Sequence, residues 1–210
     1  MDGEGQPVPP AAAEAIIAAG RRMDARGWVP ATAGNISIRV TAGRIAITRS
    51  GCHKGHLTPG DVMQVDALGD PLPPVAKPSA ETGLHCQIYR LFPTAGAVLH
   101  GHSVAGTVLS MALLPGQPIR FAGYEVIKAF EGQATHEAAV DLPVFDNDQD
   151  IPRLARAVEP VLESGGAPIG YLIRGHGVYV WGRSMDAALT RLEALEFLLA
   201  CELERRRLAP

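Results

Sequence analysis

Ala97-Val98-Leu99-His100-Gly101-His102-Ser103 is an apolar run that closes on two histidines, and the fold is read outward from it. Ala97 to Leu99 predict a buried strand. Side chains alternate along a strand, so His100 and His102 project to one side with Gly101 between them. Two imidazoles from one strand suit a single metal ion, and Gly101 leaves the near side open to a ligand. Ser103 stands where it can cap a helix over residues 104–112. Two hydrogen-bonded core histidines are the plainer alternative, and this stretch alone leaves it open.

Upstream, an Ala-rich segment over residues 11–26 carries Ile16, Ile17, Gly20 and Met23 at near-helical spacing and stops at Gly27 and Pro30. Residues 35–40 and 45–48 alternate around the turn Thr41-Ala42-Gly43-Arg44, which predicts a β-hairpin. Val62 to Asp66 read as a further strand. A proline-rich connection over residues 71–78 leads to Ser79, the expected cap of a helix carrying Leu84, Ile88 and Leu91. Glu81 and His85 lie four apart there and share a face.

Downstream come Ile119 to Ala122, a segment around Tyr124 to Lys128 and a strand over 140–145. A helix follows from Ile151 to about Glu163, with Pro160 as the sign of a break and Gly165-Gly166 its end. Strands over 169–173 and 178–181 flank Arg174-Gly175-His176-Gly177, a tight connection with a histidine at its tip. After Ser184 the stripe Leu189, Leu192, Leu195, Leu199 and Leu203 predicts the last helix. Irregular alternation of helices and strands, without a repeated unit, predicts a three-layer α/β/α fold with a central mixed, mostly antiparallel sheet. The expected organisation is a flexible segment over residues 1–10 and one domain over 11–210.

The 210 residues suffice for one well-cored domain. A net charge of −3 and a pI near 6.2 argue against a nucleic-acid or anionic-membrane partner. No run approaches the length needed to cross a bilayer, and the start lacks a secretory pattern, so a cytoplasmic location is the default. Cys52, Cys86 and Cys201 are odd in number and far apart, which predicts reduced thiols.

His100, His102 and His176 form the candidate metal triad, because three neutral imidazoles leave coordination positions free, as catalytic zinc requires. One zinc per chain is the expectation. His53, His56, His85 and His136 compete, each readable as an ordinary polar residue. Glu81 and Glu125 are the acid–base candidates. Asn35 with Ser37, Ser50-Gly51 with Lys54, and Ser79 offer amides, hydroxyls and one cation of the kind that cradle a phosphate.

Gly34-Asn35-Ile36-Ser37, Ser50-Gly51 with Lys54-Gly55, Pro78-Ser79-Ala80-Glu81-Thr82, His100-Gly101-His102-Ser103 and Arg174-Gly175-His176-Gly177 occur in the order seen in the class II aldolase and epimerase family, which the chain resembles from about residue 14 to 206. Further stretches resemble the family's dehydratase branch, whose members remove water from a methylthio-ketose 1-phosphate in methionine salvage. These are Tyr124 to Lys128, Thr135-His136-Glu137, the run over 144–150 and Gly177 to Gly182. The resemblance implies zinc on His100, His102 and His176, phosphate near Asn35, Ser50-Gly51 and Ser79, and Glu125 as the acid–base. It also implies homo-oligomers, commonly tetramers, with active sites near subunit interfaces. In the aldolases the glutamate matching Glu81 moves the proton, so the division between Glu81 and Glu125 stays open. The alternatives are aldol cleavage or epimerisation of another sugar phosphate, and a non-catalytic assembly module like the adducin head. A cupin barrel also uses His-x-His but has no place for the long helices at 79–92 and 184–208.

Overall fold

The structure, a computed structural model, describes residues 7–74, 76–164 and 169–208. Most of the segment read as a flexible start, and the Gly165-Gly166 helix end, lie outside the described residues. Helix α1 spans Pro10–Ala25, opened by a proline at its first position, where no intrahelical N–H is needed. The hairpin is β1 (Asn35–Thr41) and β2 (Arg44–Thr48), followed by β3 (Val62–Asp66). Helix α2 (Thr82–Leu91) precedes β4 (Ala97–Gly101) and α3 (Val104–Met111). The Ser103 hydroxyl accepts the Gly106 N–H at 3.0 Å, as the N-cap reading requires.

Two readings need correction. Ser79 does not cap α2, which begins three residues later; the Thr82 N–H and hydroxyl bond the Ser79 carbonyl, and the Ser79 side chain turns to Asn35. The single strand read over 140–145 is two, β6 (Ala139–Leu142) and β7 (Val144–Phe145), parted by Pro143, which has no N–H for a ladder. β6 pairs with β5 (Ile119–Ala122) in a separate two-stranded sheet, while β7 joins the main sheet. Helix α4 (Ile151–Glu163) runs on through Pro160. β8 (Tyr171–Ile173), β9 (Val178–Gly182) and α5 (Met185–Leu208) complete the chain.

The main sheet has the order β3-β2-β1-β4-β9-β8-β7, antiparallel throughout except for the parallel pair β7 and β8. One face carries α1, α3 and α5 through Ile16, Met23, Leu109, Leu192, Leu195 and Leu199. The other carries α2 and α4 through Leu84, Ile88, Leu154 and Val158. This is the expected α/β/α sandwich. Each fully buried leucine contributes about 1.5–3 kcal/mol, and Leu195→Ala would cost about 2–5 kcal/mol with the cavity it leaves. Among the described residues no helix is long and apolar enough to cross a membrane.

Alternation fixes what each strand shows to each layer. On β4, Ala97 and Leu99 enter the α1/α5 layer, whereas Val98, and His100 after it, face α2 and α4. On β1, Ile36 and Ile38 enter the first layer, and Asn35, Ser37 and Arg39 face α2. The register sets Asn35 opposite His100 and His100 opposite Tyr179, so residues distant in sequence meet in one row.

Candidate active site

The row ends in a cluster of imidazoles. His100, His102 and His176 each offer a ring nitrogen, and these nitrogens all lie within 4.8 Å of one another. β4 supplies His100, and His102 stands just beyond its end. His176 comes from the β8–β9 turn, which Arg174 and Gly175 hold in place. The Arg174 guanidinium bonds Asp146 at 2.7 Å and, at the C-terminal end of α3, the carbonyls of Ser110 at 2.6 Å and Leu113 at 2.7 Å. The Gly175 N–H donates to the Ser110 hydroxyl at 2.9 Å. Gly175 has a left-handed φ of +62°, and a Cβ at Gly177 would collide with the Gly101 carbonyl, so both positions need glycine. The sequence marked this connection for its histidine and missed the arginine that anchors it.

The His100 Nδ1–H donates to the Val178 carbonyl at 2.9 Å, which turns Nε2 toward the cluster, where it has no hydrogen-bond partner. Glu81 lies against it. One Glu81 oxygen is 3.2 Å from His100 Nε2 and the other 3.1 Å from His176 Nε2. A carboxylate that close to two imidazole nitrogens needs a positive charge among them, a proton or a cation. Burial lowers the His102 pKa to about 3 and lowers that of His176, which keeps both imidazoles neutral and able to ligate. Burial pushes the Glu81 carboxyl up, but positive charge at His100 and His176, with the Asn35 N–H, outweighs it and holds the group well below the usual carboxylate range. Three imidazoles that turn ring nitrogens to one point, with a carboxylate against two of them, fit a divalent cation such as zinc.

A cavity of ≈ 420 Å³ opens over this cluster. Its walls hold His102, His176 and Glu81, the loop with Asn35, the loop with Ser50, Gly51 and Lys54, and Ser79. The structure thus gathers the expected phosphate residues beside the triad. It also changes the part of two. Lys54 is buried, and its ammonium donates to the Thr32 carbonyl at 2.8 Å and the Cys52 carbonyl at 2.6 Å, so it ties two loops together. The Asn35 amide donates to Ser79 at 2.9 Å and Glu81 at 2.9 Å, which uses both its protons inside the protein. Ser79, accepting there, keeps its own hydroxyl proton for a ligand. Asn147 and Gln149 form a wall that the sequence assigned to no role. A larger cavity of ≈ 650 Å³ beside α1 shares only Arg49 with this one and holds none of the histidines.

Glu125 is not brought to the cluster. It sits in a 3-10 turn, Glu125–Ala129, with its side chain 68% exposed, bonded to Lys128 and 3.8 Å from His136. The Lys128 hydrogen bond holds its pKa below the ordinary value. It does not line the cavity of its own chain. His53 and His56 pack against each other with tilted rings in the loop after β2, and His85 is fully buried under β1.

A sheet-centred fold with three clustered histidines at the end of its central strand defines a class, and the sequence signature described as class II aldolase and adducin N-terminal domain matches residues 14–203. The chain belongs to that family. It is similar to a methylthioribulose-1-phosphate dehydratase of Granulibacter bethesdensis, 67% identical over 94% of this chain and 93% of the relative. The enzyme of the same name from Gluconacetobacter diazotrophicus is 65% identical over 94% and 95%. Among solved structures, L-fuculose-1-phosphate aldolase from Thermus thermophilus superposes with a TM-score of 0.73 at 28% identity, over 92% of this chain and 94% of that one.

Proposed function

We propose that residues 11–210 form one catalytic domain, a cytoplasmic zinc-dependent hydro-lyase of methionine salvage. Its reaction is the dehydration of 5-methylthioribulose 1-phosphate to the 5-methylthio-2,3-diketopentyl 1-phosphate. The observation that carries this is the Glu81 carboxylate against two of three clustered imidazoles, beside loops that offer hydroxyls and amides to a phosphate. The similarity to dehydratases over nearly the whole chain supports the choice of substrate.

His100, His102 and His176 would hold the ion, which when bound supplies a Lewis acid for the negative charge that develops on the substrate's C2 and C3 oxygens. Ser50, Gly51 and Ser79 bind the phosphate and so fix the depth of the sugar chain, while Lys54 keeps their loops together. Glu81 takes the proton from C3, giving an enediolate. As the C2 carbonyl re-forms, the C4–O bond breaks and the hydroxyl leaves as water with a proton that Glu125 relays from solvent, and the enol left at C3 ketonises by moving its hydroxyl proton to C4. From sequence, the resemblance implied Glu125 as the acid–base and left its division of work with Glu81 open. The contact of Glu81 with the imidazoles is the reason for giving it the C3 proton. Glu125 reaches the cavity from a neighbouring copy, since its own chain holds it at the surface; this makes the working form a homo-oligomer, with a tetramer expected.

Aldol cleavage is the second reading, because the aldolases of the family use the carboxylate at the position of Glu81. Incubating the protein with 5-methylthioribulose 1-phosphate and weighing the products decides between them. Loss of one water with every carbon retained supports the dehydratase; two carbon fragments overturn it. A non-catalytic assembly module would leave the histidine cluster without a purpose.

A further inference from the structure

We infer that His85 is a positioning residue that sets which way the Asn35 amide faces and thereby aims Glu81. β1 presents Asn35 and Ser37 on the face toward α2, and α2 presents His85 and Tyr89 one turn apart toward β1. All four are buried. They form one chain of hydrogen bonds. Tyr89 Oη lies 2.9 Å from Ser37 Oγ, and Ser37 Oγ lies 2.7 Å from His85 Nδ1. His85 Nε2 meets Asn35 Oδ1, and Asn35 Nδ2 meets Ser79 Oγ and Glu81 Oε2 at 2.9 Å each.

The polarity of this chain follows from its end. An ionised carboxylate only accepts, so the Asn35 NH2 group must face Glu81 and its carbonyl oxygen must face His85. His85 therefore carries its proton on Nε2 and a lone pair on Nδ1. That lone pair requires the Ser37 O–H, and Ser37 in turn accepts from the Tyr89 O–H. Every donor points from Tyr89 toward Glu81, and turning any one member over sets two donors or two acceptors in contact. Burial lowers the His85 pKa to about 3, so the ring stays a neutral relay of one polarity. Rotating the Asn35 amide by half a turn would press its carbonyl oxygen on Glu81 and its NH2 on the His85 N–H. His85 forbids that rotation and so keeps Glu81 within 3.1–3.2 Å of the two imidazoles. Chains of bonds with one polarity also strengthen one another in a dry interior.

The inference rests on the reading of Glu81 as the acceptor of the C3 proton. The test uses metal-loaded full-length protein, with His85→Leu, His85→Gln, Ser37→Ala and Glu81→Gln. His85→Leu should lower kcat roughly 10- to 100-fold, the range seen for partners that orient active-site ligands, with KM and metal content unchanged. His85→Gln, whose amide N–H can reach Asn35, should recover much of the loss. Independently of activity, ¹⁵N resonances of histidine-labelled wild type should show His85 as the neutral Nε2–H tautomer across neutral pH, and Ser37→Ala should mix the two tautomers. An Nδ1–H tautomer in wild type overturns the polarity, and with it the inference, even if a variant does not fold. Normal kcat in His85→Leu beside an impaired Glu81→Gln overturns the positioning role alone. Normal kcat in Glu81→Gln overturns the reading of Glu81, while the tautomer still decides whether the chain runs as described.

Discussion

Glu81 and Glu125 are carboxylates in opposite surroundings. Glu81 is 13% exposed, held by an amide and two imidazoles on the inner face of the sheet; Glu125 is 68% exposed, with a lysine and a histidine of its own surface turn for company. The first is placed by the fold of one chain, because its partners lie on β1, β4 and the β8–β9 turn. The second is placed only as far as the surface. The site as proposed is half built by folding and half by association, and each half fails in its own way.

The comparison breaks first at the metal. His102→Ala and His176→Ala should each lose the ion and lower turnover by on the order of 10³ or more, since charge stabilisation of several kcal/mol goes with it. Elemental analysis showing a full complement in both variants would remove the triad.

Next come the carboxylates. Glu81→Gln and Glu125→Gln should each lower kcat roughly 10²- to 10⁴-fold while retaining metal. Mixing the two inactive proteins under conditions that exchange subunits should restore activity, because some sites then receive an intact Glu81 from one copy and an intact Glu125 from another. Assays of the mixture that stay at the level of the separate variants place Glu125 outside the site.

A smaller effect separates the two uses of the loops proposed to hold the phosphate. Ser50→Ala and Ser79→Ala should raise KM for the ketose phosphate about tenfold at unchanged kcat, the loss of one hydrogen bond to a charged group. Asn35→Ala should lower kcat as well, because its amide serves Glu81. Equal KM effects with unchanged kcat in all three would make Asn35 a simple phosphate ligand.

The smallest effect concerns a third carboxylate, Glu196 on α5. It is 4% exposed, and burial raises its pKa to about 7, against an ordinary 4.5. Between those values the folded state holds a proton that the unfolded chain has released, so stability falls as pH rises through that window and stays lower above it. Glu196→Gln should unfold close to wild type at pH 5 and melt higher by roughly 7–14 °C at pH 8. A constant difference at both pH values would mean that Glu196 is not buried as a neutral acid.

Much of this was legible in the sequence where one residue's surroundings are local. The alternation around His100 and the leucine stripe of α5 each depend on periodicity, and both elements form as read. The two glycines flanking His176 told of a tight turn. Ser79 was misread as a helix cap because the competing partner, Asn35, lies far away in sequence and is brought near only by the sheet register. The polar face of β1 gave no warning that it was buried; Asn35-x-Ser37-x-Arg39 has the pattern of a solvent-facing strand, and only α2, with His85, Tyr89 and backbone carbonyls, makes burial tolerable. Lys54 was read as a free cation for the same reason, since the carbonyls that bind it belong to no motif. Pro143 was visible and could have divided the strand over 140–145, had its missing N–H been weighed.

The histidine cluster also has a topological side. His102 and His176 are more than seventy residues apart in the chain, and a cation held by both closes that whole span into a loop, as a covalent cross-link would. The span contains α3, α4 and the β5–β6 hairpin, and β4 and β9, which flank it, are central strands of the main sheet. Removing the ion should therefore do more than silence one pocket. It should lower the melting temperature of the entire sandwich as a single transition, to an extent set by the concentration of free metal relative to its Kd.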